Sequence, residues 1–285
     1  MSEVKPLSSP RSGELLARVT SGIVMIAVAL ATLWMGGVTF VIFWTLCAIA
    51  TVYEWQTLIN APKRWERVGV GSVAVALSVM GLLSGYGEVA LGTVLLGALL
   101  AAGLAGPGKR VWAGAGVLYG GALALSVVLL RVVSALDGAE AILWLFALVW
   151  GTDIMAYFGG RSIGGPKLWP RVSPSKTWSG FIVGVTCGAL LGGAAVALTL
   201  GGPNVSLGMI FLLGLMGGVI AQGGDLMESS VKRHFGVKDS SQLIPGHGGF
   251  MDRLDGFIAT ASFAALVGLA KAAGPGFVAT GLLRW

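Results

Sequence analysis

Residues 178–224 read WSGFIVGVTCGALLGGAAVALTLGGPNVSLGMIFLLGLMGGVIAQGG, and this stretch decides the fold class. It contains no Asp, Glu, Lys or Arg, and only the short segment GGPN at 201–204 interrupts its apolar character. Each half has about the 20 residues that an α-helix needs to cross roughly 30 Å of hydrocarbon. Because the apolar runs are continuous and do not alternate in polarity, a membrane β-barrel is excluded. The stretch therefore predicts two consecutive membrane-spanning helices.

The same pattern extends over most of the chain. Of the 285 residues, 55% are hydrophobic and 11% are charged, whereas soluble domains have roughly 25% charged residues. The 46 glycines agree with this, because glycine is common in membrane helices and lets them pack closely. We therefore predict an all-α, polytopic transmembrane helix bundle of about nine spans. The predicted spans are approximately 19–35, 38–53, 69–87, 89–106, 111–130, 139–158, 178–200, 205–224 and 257–273.

The basic residues predict the orientation of these spans. With the N-terminus in the cytoplasm, sixteen of the nineteen Lys and Arg residues lie on the cytoplasmic side, and only Arg131, Lys271 and Arg284 lie outside. We therefore expect a multi-pass protein of the plasma membrane (the inner membrane of bacteria), with a cytoplasmic tail over 1–17 and the C-terminus outside. The formal net charge of +6 resides in short loops between spans, which favours anionic substrates over nucleic acid.

Two long polar stretches, 159–177 and 225–256, follow the sixth and eighth predicted spans and so form cytoplasmic loops. They hold eight basic residues, both histidines and five of the thirteen acidic residues. Cys47 and Cys187 lie in apolar runs, and two cysteines alone allow no metal–thiolate spacing. Any chemistry is therefore expected at the cytoplasmic ends of the later spans.

The first polar cluster follows the eighth predicted span. If that helix continues past residue 224, then Asp225, Glu228, Ser229 and Lys232 share one of its faces. Two carboxylates beside a hydroxyl and an ammonium suit a site for both metal and phosphate. The alternative is a solvated helix end, where charged side chains cost little.

The second cluster surrounds His247 in the glycine-rich segment 245–249. Glycines at 246, 248 and 249 let the backbone approach a ligand closely or adopt positive φ. His247 has two open interpretations, a structural hydrogen bond to the loop or a catalytic role.

Two further carboxylates, Asp252 and Asp255, lie at the entry to the ninth predicted span. Asp225 ends the eighth span at the same membrane depth, so these carboxylates can meet across a helical hairpin. Oxygen ligands without thiolate indicate Mg²⁺ or Mn²⁺ rather than zinc.

The third cluster lies around the sixth span. Asp153 is a carboxylate within an apolar run, which is costly and usually functional. Tyr157 lies one turn further on the same face. It is either a site residue or an aromatic residue at the membrane interface. Ser173, Lys176 and Thr177 precede the seventh span, and helix N-termini favour anions. The alternative for these three is helix capping by Ser173 or Thr177 together with a topogenic charge.

Two regions of the sequence resemble the phosphatidate cytidylyltransferase (CDP-diacylglycerol synthase) family. The first has SSVKR at 229–233, KD at 238–239, PGHGG at 245–249 and DRLD at 252–255, and matches the family motif at each defined position. The second has Asp153, Tyr157, Gly-Arg at 160–161, Ser-Pro at 173–174 and Lys-Thr at 176–177. Ser179 and Gly256 depart from the pattern, where Glu and Ser are expected. Outside 150–256 the resemblance is limited to the apolar spans.

The resemblance implies an enzyme that transfers the cytidylyl group of CTP to phosphatidic acid, giving CDP-diacylglycerol and pyrophosphate for phospholipid synthesis. It also implies Mg²⁺ or Mn²⁺, membrane lipids as partners, N-terminal transmembrane helices over 18–149 and a catalytic region over 150–285. The expected metal ligands are Asp225 and Asp252, with Glu228, Asp255 and Asp153 as further candidates. The expected catalytic residues are Asp225, Asp252, Lys232, Arg233, His247 and Arg253. The expected substrate-binding residues are Asp153, Tyr157, Arg161, Ser173, Lys176, Thr177, Ser229, Lys238, Gly248 and Gly249.

Two other classes of protein stay open. A CTP-dependent polyprenol kinase would use a lipid hydroxyl as acceptor, and an ion-coupled transporter would use charged residues within its spans. The chain has no internal repeat, and its polar groups cluster at one membrane face, which argues against a transporter. The sequence separates the two lipid enzymes only through the family motif. It leaves the oligomeric state undecided, with a homodimer as one option.

Overall fold

The computed structural model describes residues 12–134, 136–200, 204–244 and 248–285, with side chains from residue 19 onward. Over these residues the chain is mostly helical, which confirms the all-α prediction. The α-helices are α1 Ser12–Met35, α2 Gly37–Leu58, α3 Arg64–Leu83, α4 Gly87–Leu104, α5 Arg110–Val128, α6 Gly138–Ile163, α7 Trp178–Thr199, α8 Leu207–His234, α9 Met251–Lys271 and α10 Val278–Leu283. A π-helical turn, Leu129–Val133, extends α5, and a 3-10 turn, Pro275–Phe277, precedes α10.

Eight of the described helices, α2 to α9, are long and apolar enough to cross a membrane. The remaining predicted span corresponds to α1, whose described apolar part, Val19–Met35, is shorter. The nine apolar stretches of the sequence therefore each become a helix, and the polytopic bundle is confirmed.

The helix ends differ from the prediction in a way that matters for chemistry. Helix α8 continues to His234 and α9 already begins at Met251, so much of the predicted loop 225–256 is helical. In the polar part of α8, Lys232 and Glu228, one turn apart, form an ion pair of 2.6 Å, which is a contact that supports a helix. Asp225, Glu228, Ser229 and Lys232 therefore lie on one helix, as the sequence predicts.

The predicted loop 159–177 also contains regular structure. Helix α6 runs on to Ile163, and two short antiparallel strands follow, β1 Lys167–Trp169 and β2 Ser173–Thr177. The Thr177 hydroxyl accepts a hydrogen bond of 3.1 Å from the backbone N–H of Gly180. Thr177 thus caps the N-terminus of α7, which confirms the capping interpretation for this residue.

The described loops gather at two ends of the bundle. At one, which we name the polar end, Lys109 before α5 donates to the carbonyl of Ile59 after α2 (3.0 Å), and its ammonium lies 4.4 Å from the centroid of Phe235 after α8. At the opposite end, Arg284 donates two hydrogen bonds of 2.7 and 2.8 Å to Asp137. These bonds hold the pKa of Asp137 below its usual value and fix the C-terminus beside α6.

Helices α6 and α7 pack with their backbones in close approach. A Cβ atom placed on Gly184 would lie 2.6 Å from the carbonyl oxygen of Thr152. Small residues allow such close contact. In a membrane the hydrophobic effect does not drive helices together, so van der Waals packing of this kind stabilises the pair. This contact fixes Asp153, on α6, relative to the strand that precedes α7.

Candidate active site

A cavity of about 1360 Å³ opens among α1, α2, α6, α8, α9 and strand β2 at the polar end. One part of its wall is charged, and the other is apolar and aromatic. The residues predicted from the sequence that line it are Asp153, Tyr157, Arg161, Lys176, Thr177, Asp225, Lys232, Asp252, Arg253 and Asp255. The structure therefore brings together in one cavity the polar residues of three separate sequence clusters.

The first ion pair joins strand β2 to α8. Lys176 Nζ lies 2.6 Å from Asp225 Oδ2 and donates to Gln222 Oε1 at 2.8 Å. Gln222 Nε2 in turn lies 3.4 Å from Asp153 Oδ1 on α6. On the other side, the Ser229 hydroxyl lies 3.3 Å from Asp225 Oδ1. The Asp225 side chain keeps 32% of its surface exposed, so it is both paired and reachable from the cavity.

The second ion-pair group is more deeply buried and joins α8 to α9. Lys232 Nζ lies 2.6 Å from Glu228 Oε2 and 2.6 Å from Asp252 Oδ1. The exposed fractions of these side chains are 12% for Lys232, 0% for Glu228 and 5% for Asp252. An ammonium placed between two buried carboxyl groups offsets part of the cost of burying them.

Asp252 also organises the loop between α8 and α9. Its Oδ2 accepts hydrogen bonds from the backbone N–H of Ser240 (2.9 Å), the Ser240 hydroxyl (2.9 Å) and the N–H of Gly249 (2.8 Å). With Lys232 on Oδ1, both carboxylate oxygens have donors. The role of Asp252 as a metal ligand stays a prediction, and it requires one of these donors to give way.

The remaining carboxylates suit a divalent cation that shares its ligands with a substrate. Asp153, Asp225 and Asp255 lie near enough to repel one another electrostatically, and a cation would relieve that repulsion. Among the described residues, no group of three or more Asp, Glu, His or Cys side chains is spaced to hold an ion alone. Mg²⁺ typically binds one or two carboxylates and takes its other ligands from water and substrate phosphates. The residues present fit that arrangement.

Two further cationic side chains, Arg161 and Arg253, lie in the charged wall. Arg161 Nη1 donates to the hydroxyl of Tyr157 at 2.7 Å, one turn earlier on α6, and both side chains are exposed. Arg253 is exposed at the start of α9 and interacts electrostatically with Asp153. Cations thus face the cavity from α6, β2, α8 and α9.

Other predicted site residues that the structure describes are not part of the cavity wall. Arg233 is exposed and donates to the carbonyl of Val237 (3.2 Å), and Lys238 is also exposed. Ser173 lies in β2 without reaching the cavity wall, and Gly248 has a φ of +83° beside Asp252. His247 falls outside the described residues. Substrate contacts by these residues, by Ser229 and by Gly249 stay predictions.

Two polar residues of this region do not appear among the sequence-based candidates. Gln222 links Lys176 to Asp153, and Glu54 on α2 accepts hydrogen bonds from the loop around Ser240. Each is a polar residue at the end of an apolar run, and the high cost of such a group in a membrane is the signal that points to a role.

The two residues that depart from the family pattern both lie at contacts between helices. The Ser179 hydroxyl donates to the carbonyl of Gly164, which ties the start of α7 to the end of α6. Gly256 lies where α9 crosses α8, and a Cβ atom there would be 3.0 Å from the carbonyl oxygen of Ala221. A side chain at 256 would therefore require α8 and α9 to shift by a few tenths of an ångström.

The buried ion pairs of Lys232 lead to a stability prediction. Lys232→Met should destabilise the protein by about 3 kcal/mol or more, because it leaves Glu228 and Asp252 without their shared cation. The matched control is Arg233→Met, which removes an exposed cation from the next position of the same helix. Thermal unfolding of both purified variants in detergent measures the difference. Equal melting temperatures would show that the buried pairs do not stabilise this region.

Comparison with known proteins places the chain in a family. The sequence profile of the Cytidylyltransferase family matches residues 16–270. The chain is 40% identical over 256 residues to a phosphatidate cytidylyltransferase of Brucella abortus biovar 1 (strain 9-941), covering 89% of this chain and 93% of that protein. It is 46% identical over 124 residues to a phosphatidate cytidylyltransferase of Staphylococcus aureus (strain COL), covering 43% of this chain and 46% of that protein. The chain therefore belongs to the Cytidylyltransferase family.

Proposed function

We propose that this protein is a phosphatidate cytidylyltransferase, which makes CDP-diacylglycerol and pyrophosphate from CTP and phosphatidic acid. Family membership supports the reaction class, since the relatives compared above have this name. The observation that carries the proposal is the two-sided cavity, in which a charged wall meets an apolar one. Phosphatidic acid has the same division, with an anionic phosphate joined to two hydrocarbon chains.

The apolar wall suits the hydrocarbon part of the lipid. It consists of side chains from α1 and of aromatic rings from α2, α6 and α9, with Trp44 and Phe257 stacked at 5.0 Å and Phe146 and Trp150 at 4.6 Å. Ile23 and Val24 of α1 are more than half exposed, so this helix leaves apolar surface uncovered beside the cavity. We propose that the lipid enters sideways from the bilayer along this wall, while CTP enters from the aqueous side.

The charged wall suits two anionic substrates that must approach each other. Lys176, Lys232 and Arg253 supply positive charge against the phosphates of CTP and of the lipid. An oxygen of the lipid phosphate attacks the α-phosphorus of CTP, the bond from that phosphorus to the bridging oxygen breaks, and pyrophosphate leaves. The lipid phosphate is already an anion, so the step needs no strong general base.

We propose that Mg²⁺, or Mn²⁺, binds at Asp225 together with Asp153 or Asp255 and with substrate oxygens. Their mutual repulsion and their position in the cavity wall support this assignment. When bound, the ion supplies charge neutralisation and Lewis-acid polarisation of the phosphates. Asp252 stays a candidate ligand, with Lys232 and the loop as its present partners.

A polyprenol kinase or a transporter fits less well. A kinase needs a base, because a lipid alcohol must lose its proton when it attacks. In this cavity Asp225 and Asp252 are paired with lysines. Asp255 lies near two other carboxylates, an arrangement that suits a bound cation better than proton transfer. A transporter would place its polar groups near the middle of the bilayer, whereas these groups gather at one end of the bundle.

The reaction can be tested directly. Purified protein in detergent with Mg²⁺, CTP and phosphatidic acid should release pyrophosphate and form a CDP-lipid, measured by chromatography of labelled lipid. EDTA should stop turnover, because the phosphate charges would no longer be neutralised. Diacylglycerol should not replace phosphatidic acid. Transfer of the γ-phosphate of CTP to a lipid alcohol would show a kinase, and solute uptake without CTP consumption would show a transporter.

We propose that the polar end faces the cytoplasm, as the distribution of basic residues predicts. Single cysteines replacing Lys63 or Lys167 should then react with an impermeant maleimide only after cells are opened. Cysteines replacing Glu88 or Trp285 should react in intact cells. Cys47 and Cys187 are first changed to Ala so that the background is clean. Labelling of positions 63 and 167 on opposite faces would contradict a single site at this end.

A further inference from the structure

We infer that Glu54, on α2, is a positioning residue for the cytidylyl transfer proposed above. It does not line the cavity, but it contacts two pieces of chain beside it, Ser240 with Ser241 and Phe250 with Met251, and Phe250 lines the cavity. Glu54 lies in the N-terminal half of the chain, far in sequence from the residues of the family motif. Its side chain is fully buried, with 0% exposure.

The carboxylate of Glu54 lies within hydrogen-bond distance of four groups. The Ser241 hydroxyl donates at 2.6 Å, and the backbone N–H groups of Phe250 and Met251 donate at 2.9 and 2.7 Å. The fourth group is the Ser240 hydroxyl at 3.0 Å, whose one proton is shared between Glu54 and Asp252. The N–H groups of Phe250 and Met251 lie at the N-terminus of α9, where the helix itself supplies no acceptor and a negative charge is favoured. A buried carboxylate is costly unless hydrogen-bond donors surround it. These contacts therefore bind both pieces of chain tightly to α2.

Glu54 acts on the site through Ser240. The Ser240 hydroxyl lies 3.0 Å from Glu54 Oε2 and 2.9 Å from Asp252 Oδ2, and it has a single proton for both carboxylates. Asp252 in turn holds Lys232. A displacement of Glu54 therefore moves the carboxylate and the ammonium that face the substrates.

Gly249 shows how closely this arrangement is packed. A Cβ atom at this position would lie 2.5 Å from both oxygens of the Glu54 carboxylate. The glycine of the family motif thus leaves room for Glu54 to reach the start of α9. Glu54 on α2 therefore accounts for the absence of a side chain at Gly249.

Glu54→Gln tests the inference with little change of shape. The amide has one acceptor oxygen where the carboxylate has two, and its NH₂ group faces donors. We expect kcat to fall between about tenfold and a hundredfold, as for a reacting group that is slightly displaced, with KM for CTP changed less than twofold. The matched control is Glu66→Gln, an exposed glutamate at the same end of the bundle, which should behave like wild type.

A purely structural role predicts another result. The melting temperature and the yield of monodisperse protein would fall, while kcat per folded molecule would stay at the wild-type value. That result would overturn the inference, as would unchanged kinetics of Glu54→Gln.

Ser240→Ala provides a second arm if Glu54→Gln does not fold. It removes the hydroxyl that joins Glu54 to Asp252 but keeps the backbone N–H bond to Asp252. We expect a similar loss in kcat, and wild-type turnover by this variant would overturn the inference. The inference rests on the proposed function, so wild-type protein is assayed first. Wild-type inactivity with CTP and phosphatidic acid would refute the proposed function, whereas equal activity of the wild type and the variants would refute the role of Glu54.

Discussion

The structure depends on the neutralisation of carboxylates at the ends of membrane helices. Lys176 and Lys232 each lie 2.6 Å from carboxylate oxygens, and their partners stand on helices α8 and α9. In a medium of low dielectric an unpaired carboxylate would be costly, so these contacts fix the helix ends relative to one another. The same charges that stabilise the polar end are those that two phosphate-bearing substrates would meet.

Close packing of the helices makes this arrangement rigid. Gly184 on α7 approaches the backbone of α6, and Gly256 on α9 approaches that of α8. These contacts position Asp153, Asp225 and Asp255 around one cavity although they come from three helices. The apolar wall of the cavity, which includes Trp44 and Phe257, adjoins the charged wall. An amphipathic lipid and a water-soluble nucleotide can therefore meet at this boundary.

Much of this could be predicted from the sequence, because hydropathy and the helical period are local properties. The nine apolar stretches, and the shared helix of Asp225 and Lys232, follow from them. The strands β1 and β2, the helical start of α9 and the roles of Gln222 and Glu54 depend on contacts between distant segments. Glu54 and Ser240 are 186 residues apart, and no local pattern pairs them. The contacts of Asp252 with the loop were hidden for the same reason.

The central claim is that the carboxylates at the polar end bind a divalent cation together with the nucleotide. Electron paramagnetic resonance of Mn²⁺ with purified protein and CTP, corrected for Mn²⁺ bound by CTP alone, measures this directly. The account predicts binding by wild-type protein that weakens about tenfold or more in Asp225→Asn, since the amide lacks the charge that holds a hard cation. Glu66→Gln should bind like wild type. Equal Mn²⁺ binding by wild type and Asp225→Asn would contradict the account.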